Sequence, residues 1–179
     1  MLHTVLIHCS AVNLGTVSLP IVTEVTCLGV IFDSELTFSK HVKSVVRRCF
    51  YHTRQLRTVR KTLTTDSVKT LVHALIERLD YCNSVFRQIS AANLHALQSV
   101  LNAAARLVVR KRKYDHITAT LRDDLHWLPI RQRVMCKLCT IVHKCLHAAA
   151  PPWLIFRLAK LSHKLKNLAN TRLNTNNFS

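Results

Sequence analysis

Between Ala91 and Arg110 the residues Leu94, Leu97, Leu101, Ala104 and Val108 recur at steps of three, four, three and four. On a helix of 3.6 residues per turn these positions share one side, so the segment is an amphipathic helix whose apolar face needs a partner. Ser90 stands ahead of it as the N-cap, with a hydroxyl able to accept from an amide that the first turn leaves unpaired. Arg110, Lys111, Arg112 and Lys113 follow, where the C-terminal end of the helix dipole favours cations. The packed helix therefore ends in a basic knob. Only two glycines and four prolines occur in 179 residues, and 49% of the residues are apolar. These numbers predict a mostly helical chain with few tight turns, long enough to bury a core.

The same reading gives the other elements. Val5 to Phe32 prefers extended structure in the runs VLI, TVSL, IVTEV and CLGVIF, read as short strands of a small antiparallel sheet, with Gly29 marking a bulge, a close backbone approach or a packing glycine. A first long helix is predicted over Phe38 to Lys61, with Thr37 or Ser39 near its cap and Val42, Val45, Cys49, Leu56 and Leu63 on one side. Ser67 to Phe86 reads as a second helix with Val68, Leu71, Val72, Leu75, Leu79, Cys82 and Phe86 inward, after a break at Leu63 to Asp66 in which Asp66 caps. Tyr114 to Asp124 reads as a loop with a short helix. Ile130 to His147 is a further helix with Val134, Leu138, Ile141, Val142 and Cys145 inward, stopped by Pro151 and Pro152. Trp127 and Trp153 are predicted core anchors. Short breaks between successive helices suggest an antiparallel bundle.

Net charge is +17, from 26 basic and 9 acidic residues. Such an imbalance repels itself unless a polyanion is nearby, with nucleic acid the first candidate and an anionic membrane surface the second. On the first long helix Lys40, Lys43, Arg47, Arg54, Arg57 and Lys61 gather on one side, with Phe50 interrupting the stripe and Tyr51 bordering it. No acidic residue occurs between Glu35 and Asp66, so carboxylates four residues away do not account for it. A phosphate-tracking face is favoured over a merely solvated one. Met1 to Thr23 lacks charge apart from its histidines, yet it has no basic flank and is interrupted by His3, His8, Ser10, Asn13 and Pro20, so neither a signal peptide nor a transmembrane segment is expected. Seven scattered cysteines read as reduced, buried thiols of an intracellular protein.

Catalytic constellations are weak by comparison. Cys136, Cys139, His143, Cys145 and His147 are ligand types suited to zinc, but they crowd onto one helix on different faces. Asp123 and Asp124, the one adjacent acidic pair, lead into a loop, whereas two-metal phosphoryl transfer needs carboxylates converging from separate elements. No nucleophile elbow or glycine-rich phosphate loop is present. No catalytic residue, metal site, cofactor or small-molecule substrate is expected.

LDYCNS (Leu79 to Ser84), LQSVLNAAARLV (Leu97 to Val108) and LHWLPIRQR (Leu125 to Arg133) resemble the region downstream of the polymerase core in non-LTR retrotransposon reverse transcriptases, of the LINE kind related to the chicken-repeat and jockey groups. Ahead of them VTCLGVIFDSELTFSKHV (Val25 to Val42) resembles the segment where that family's palm ends and its thumb begins, and the resemblance covers roughly Val25 to Leu154. It implies that Cys27, Leu28, Gly29 and Val30 form the primer-grip hairpin, with Asp33 and His41 at family positions in the same segment, and that the following helices are thumb-like. It also implies that the family's catalytic aspartates lie upstream of Val25 and are missing here. Ile76, Glu77 and Arg78 stand where relatives carry a run one residue longer, and the likeness fades beyond Pro152 and Trp153.

The expected fold is mainly α, an antiparallel thumb-like bundle preceded by a small antiparallel β hairpin or sheet. Residues 1–36 would hold the primer-grip-like strands, 37–113 the bundle, 114–166 a C-terminal helical extension and 167–179 a disordered tail. The expected function is that of a truncated reverse-transcriptase-like protein, not itself an enzyme. It would bind RNA, DNA or RNA/DNA hybrid backbones non-specifically through Lys40, Lys43, Arg47, Arg54, Arg57, Lys61 and Arg110, Lys111, Arg112 and Lys113. Its place would be the nucleus or cytoplasm, not outside the cell. The alternatives are a non-functional translated transposon remnant and a helical protein-interaction or membrane-surface module.

Overall fold

The computed structural model describes residues 11–14, 16–20 and 22–162, so the predicted strand VLI and the predicted tail lie outside the described residues. Two compact units divide the chain, Met1–Ile130 and Arg131–Ser179. The fold is mainly helical, with antiparallel strands ahead of the helices.

Strands β1 (Ala11–Leu14) and β2 (Val17–Pro20) pair antiparallel, as do β3 (Glu24–Cys27) and β4 (Val30–Asp33). They form two separate two-stranded hairpins, in keeping with the small antiparallel hairpin or sheet expected ahead of the helices. The run CLGVIF is accordingly not one strand but a turn and a strand. Leu28 and Gly29 lie between the paired Cys27 and Val30, at φ 49° and 80°. Positive φ at both central residues is what a two-residue type I′ hairpin turn requires. A Cβ at Gly29 would meet nothing within 4 Å, so conformation and not a close approach accounts for the glycine.

Three helices follow: α1 (Ser39–Val59), α2 (Thr65–Asp80) and α3 (Ala91–Val109). Two polar ties fix their directions. Asn93 Nδ2 donates to Ser39 Oγ at 3.0 Å, joining the starts of α1 and α3. At the other end Arg60 is buried, and its Nε and Nη2 donate to the carbonyls of Leu107 (2.9 Å) and Val108 (3.0 Å) while Nη1 reaches Leu63 O (3.2 Å). α1 and α3 therefore run parallel and pack directly on each other, with α2 running back in the opposite direction alongside both. Arg60 satisfies last-turn carbonyls that a helix leaves open and sets its charge at the negative end of the α3 dipole. The core between the helices is Val42, Cys49, Val68, Val72, Leu97, Val100 and Leu101, all nearly inaccessible to solvent.

The caps were partly as predicted. Ser90 Oγ accepts from Asn93 N at 3.3 Å. For α2 the cap is Thr64, accepting from Ser67 N at 3.2 Å, in place of Asp66. The cap of α1 is Phe38, between Thr37 and Ser39, in the left-handed conformation and without a side-chain bond of its own, while Thr37 Oγ1 accepts from Ser39 N at 3.4 Å. That conformation costs roughly 1 kcal/mol, and it sets the buried Phe38 ring between Phe32 (5.5 Å between centroids) and Phe86 (6.3 Å).

The predicted second helix is shorter than expected. It ends at Asp80, Cys82 turns the chain at φ 53°, and a 3-10 turn over Asn83–Gln88 carries Phe86 under Phe38. Leu71, at the margin of the stripe, is 42% exposed, while Ile76 is buried. Ile117, Thr120 and Leu121 bury a loop containing a π-helical turn, Thr120–Asp124. Trp127 is buried beside His73, ring centroids 5.8 Å apart, as its anchoring role requires.

Helix α4 (Ile130–Leu146) buries Val134 and Cys145. Val142 was expected inward, but it lies about 80° around the helix from Val134 and is 40% exposed. Trp153 is also corrected: it is 67% exposed on a helix over residues 152–162, opposite the half-buried Leu154, Ile155 and Leu158. The thiols divide as well. Cys49 and Cys145 are buried, Cys82 is half-buried, and Cys27, Cys136 and Cys139 are exposed. Cys136 and Cys139 fall off the Val134 stripe, which is why helical position defeats the expectation of burial.

Candidate nucleic-acid interface

The basic stripe of α1 lies on one flank of its buried face. There Arg47, Arg54 and Arg57 border a groove of about 450 Å³ together with Phe50, Thr53, Ala103 of α3 and Lys113. The four cations are exposed, Phe50 and Ala103 are half-buried, and Thr53 is buried with its hydroxyl donated to Cys49 O at 2.7 Å. The groove thus has a largely apolar floor under a cationic rim, and no carboxylate lines it. Arg47 to Arg57 spans about 15 Å of helix axis, over which one strand of a B-form duplex presents roughly four phosphates.

Lys113 comes to α1 through tertiary structure. Arg110 closes α3 at φ 59°, with Lys111 N bonded to Arg106 O at 3.1 Å, a left-handed cap that reverses the chain. Asp115 Oδ2 then accepts from Arg112 N at 2.7 Å, and Arg106 holds Asp115 O. Since Arg60 pins the end of α1 to the end of α3, this loop lands beside the stripe. The Lys113 ammonium also lies 5.3 Å from the Tyr114 ring centroid, and that ring is exposed.

The other predicted contacts divide. Lys40 pairs with Glu24 of β3, a tertiary partner that helix spacing does not reveal. Lys43 and Lys61 are exposed outside the groove. Lys111 Nζ is engaged by Thr120 Oγ1 at 2.6 Å, so it braces its own loop. Arg110 neighbours the Arg60 guanidinium, whose proton affinity is lowered by burial first and by Arg110 second.

Cys27, Leu28, Gly29 and Val30 form the tip of the second hairpin. Val30 is buried, Leu28 is 83% exposed, and Tyr81 Oη donates to Leu28 O at 2.8 Å, tying the turn to the end of α2. His41 is buried on α1, and its Nδ1 accepts from Ile31 N at 3.4 Å. Burial, and secondarily Arg48, pushes its imidazole below the ordinary range. Asp33 is held low chiefly by the Thr37 amide and accepts from the Thr37 hydroxyl too.

Among the described residues no group of three or more His, Cys, Asp or Glu side chains converges as a metal site. The His143 and His147 rings lie 4.2 Å apart, and Asp123 is paired with Arg122 at 2.7 Å. Among the described residues no helix is long and apolar enough to cross a membrane.

Sequence reasoning did not find Arg60, Arg48 or Arg78. Arg60 follows α1 at a point where only the fold reveals carbonyl partners, and Arg48 and Arg78 reach a second cleft from different helices. The lack of acidic residues between Glu35 and Asp66 was the available signal for Arg48. No protein-family model, curated protein or solved structure matches the chain.

Proposed function

We propose that this protein binds the sugar-phosphate backbone of nucleic acid through the α1 groove, without sequence specificity and without polymerase activity of its own. The observation that carries this reading is the assembly of Arg47, Arg54, Arg57 and Lys113 around an acid-free groove floored by Phe50. Guanidiniums match phosphate oxygens in bidentate geometry, and a ring beside them offers a stacking surface to an unpaired base. The resemblance of Val25 to Val42 and Leu79 to Arg133 to the palm-end and thumb region of non-LTR retrotransposon reverse transcriptases supports the same reading.

The test is binding of a labelled RNA/DNA hybrid across a salt series, with and without Arg47, Arg54, Arg57 and Lys113 changed to Gln. If all four cations meet phosphates, the slope of log affinity against log salt should shrink by about 3 to 4 in the variant. Unchanged helicity with an unchanged slope would remove the groove from the interface. Primer extension from the pure protein with dNTPs and Mg²⁺ would overturn the non-enzymatic reading.

A further inference from the structure

A second cleft, of about 330 Å³, lies on the opposite flank of α1, between that helix, the end of α2 and the turn of the second hairpin. Arg48 enters from α1 and Arg78 from α2. Arg48 Nη2 donates to Ser44 Oγ at 3.2 Å, which fixes the guanidinium along its helix. Arg78 has no hydrogen bond or ion pair among the described residues. Both guanidiniums are close enough to Cys49 to act on its thiol, yet burial prevails and raises the thiol above its ordinary value, so it stays neutral near pH 7. His41 is neutral there as well, since burial lowers its imidazole.

Two cations therefore face one cleft whose lining includes no carboxylate, thiolate or other anion. The Tyr81 hydroxyl is donated to Leu28 O, which holds the hairpin turn over the cleft and leaves the Tyr81 ring as a wall. The volume is at the small end of ligand pockets, suited to one compact anion and too narrow for a duplex. Paired guanidiniums suit a phosphate dianion, because each can present two parallel N–H donors to its oxygens.

We propose that this cleft binds a phosphate monoester dianion between Arg48 and Arg78, with the Ser44 hydroxyl as a further donor. The site is separate from the α1 groove and does not depend on the groove's binding nucleic acid. The monoester comes either from a small phosphorylated molecule or from the terminal phosphate of a strand, and both sources present the same dianion.

The experiment follows the arginine Nε–Hε resonances of the ¹⁵N-labelled full chain while sodium phosphate replaces sodium chloride at constant ionic strength. Arg48 and Arg78 should shift saturably, at about 1 mM phosphate or below, with Arg47, Arg54 and Arg57 unmoved. Arg78→Gln should weaken the response about tenfold or more, the loss of one charge-assisted contact, and the variant with the four groove cations changed to Gln should retain it. A linear drift shared by all arginines, or equal loss in the groove variant, overturns the proposal. The wild-type resonances decide the matter even if Arg78→Gln does not fold. AMP and a trinucleotide with a 5′-phosphate or a 5′-hydroxyl then separate the sources. Tighter response to the 5′-phosphorylated trinucleotide than to AMP assigns a strand end; equal response assigns a small phosphate ester.

Discussion

The two flanks of α1 carry the same charge in different surroundings. On one, Arg47, Arg54 and Arg57 stand along an open groove joined by Lys113, a cation delivered by the loop after α3. On the other, Arg48 faces Arg78 inside a smaller cleft walled by Tyr81 and the hairpin turn. The open flank suits a long polyanion that contacts charges in series. The walled flank suits one small anion reached from two sides. The difference teaches that cation count along a helix says little until the neighbours that build walls or extend rails are known.

The largest change should erase the comparison itself. Leu101 is fully buried in the core shared by the helices, so Leu101→Ala should cost about 3 to 5 kcal/mol. Urea unfolding would read it, and phosphate and hybrid binding should both fail in the fraction unfolded. Arg60→Met should act on one flank. It removes two donors to carbonyls at the end of α3 and one to Leu63 O in the break after α1, a loss of about 2 to 3 kcal/mol. Because those bonds hold the Lys113 loop near the stripe, hybrid binding should weaken under conditions where the variant is still folded. The phosphate response of Arg48 and Arg78 should survive. Equal damage to both would mean the flanks are not independent.

Tyr81→Phe should act on the other flank alone. Its exposed bond to Leu28 O contributes about 0.5 to 1 kcal/mol, so the thermal midpoint should move little. Amide exchange at the Leu28 to Val30 turn should quicken, and phosphate should bind less well, while the groove's salt slope stays put. Acidification should produce the smallest and most local effect. The native His41 imidazole is held below its unfolded value, by burial and then by Arg48. Between those two values the unfolded chain binds the extra proton, so this contribution is complete above about pH 6.5 and is lost as pH falls below it. Protonation also removes the acceptor for Ile31 N, which ties β4 to α1. The stability difference between wild type and His41→Asn should narrow from pH 7.5 to pH 5.5. A difference that ignores pH would show that His41 does not titrate with the hairpin.

Much of the scaffold was legible in the sequence for a local reason. Ser90 capped α3 as expected, and Leu97, Leu101, Ala104 and Val108 lie in the core as their spacing required. The basic stripe was legible too, because Arg47, Arg54 and Arg57 are fixed relative to one another by the pitch of a single helix. What failed needed information from another element. The second helix stopped at Asp80 because Cys82 turns the chain and Phe86 finds Phe38 and His41 through it. Trp153 looked like core by residue type and proved exposed, since aromatic character does not say whether a face is covered.

The sequence by itself determined a basic, mainly helical chain, the capped α3 and its apolar stripe, and the row of cations on α1. Periodicity and charge are local properties, and a helix converts them into faces without reference to the rest of the chain. Only the tertiary structure decided that Lys40 is taken by Glu24, that Lys113 joins the α1 groove, that Arg60 closes α3, and that Arg48 and Arg78 line one cleft. Each of these joins residues from different elements, and which cation is engaged and which is left for a ligand follows from how the helices pack.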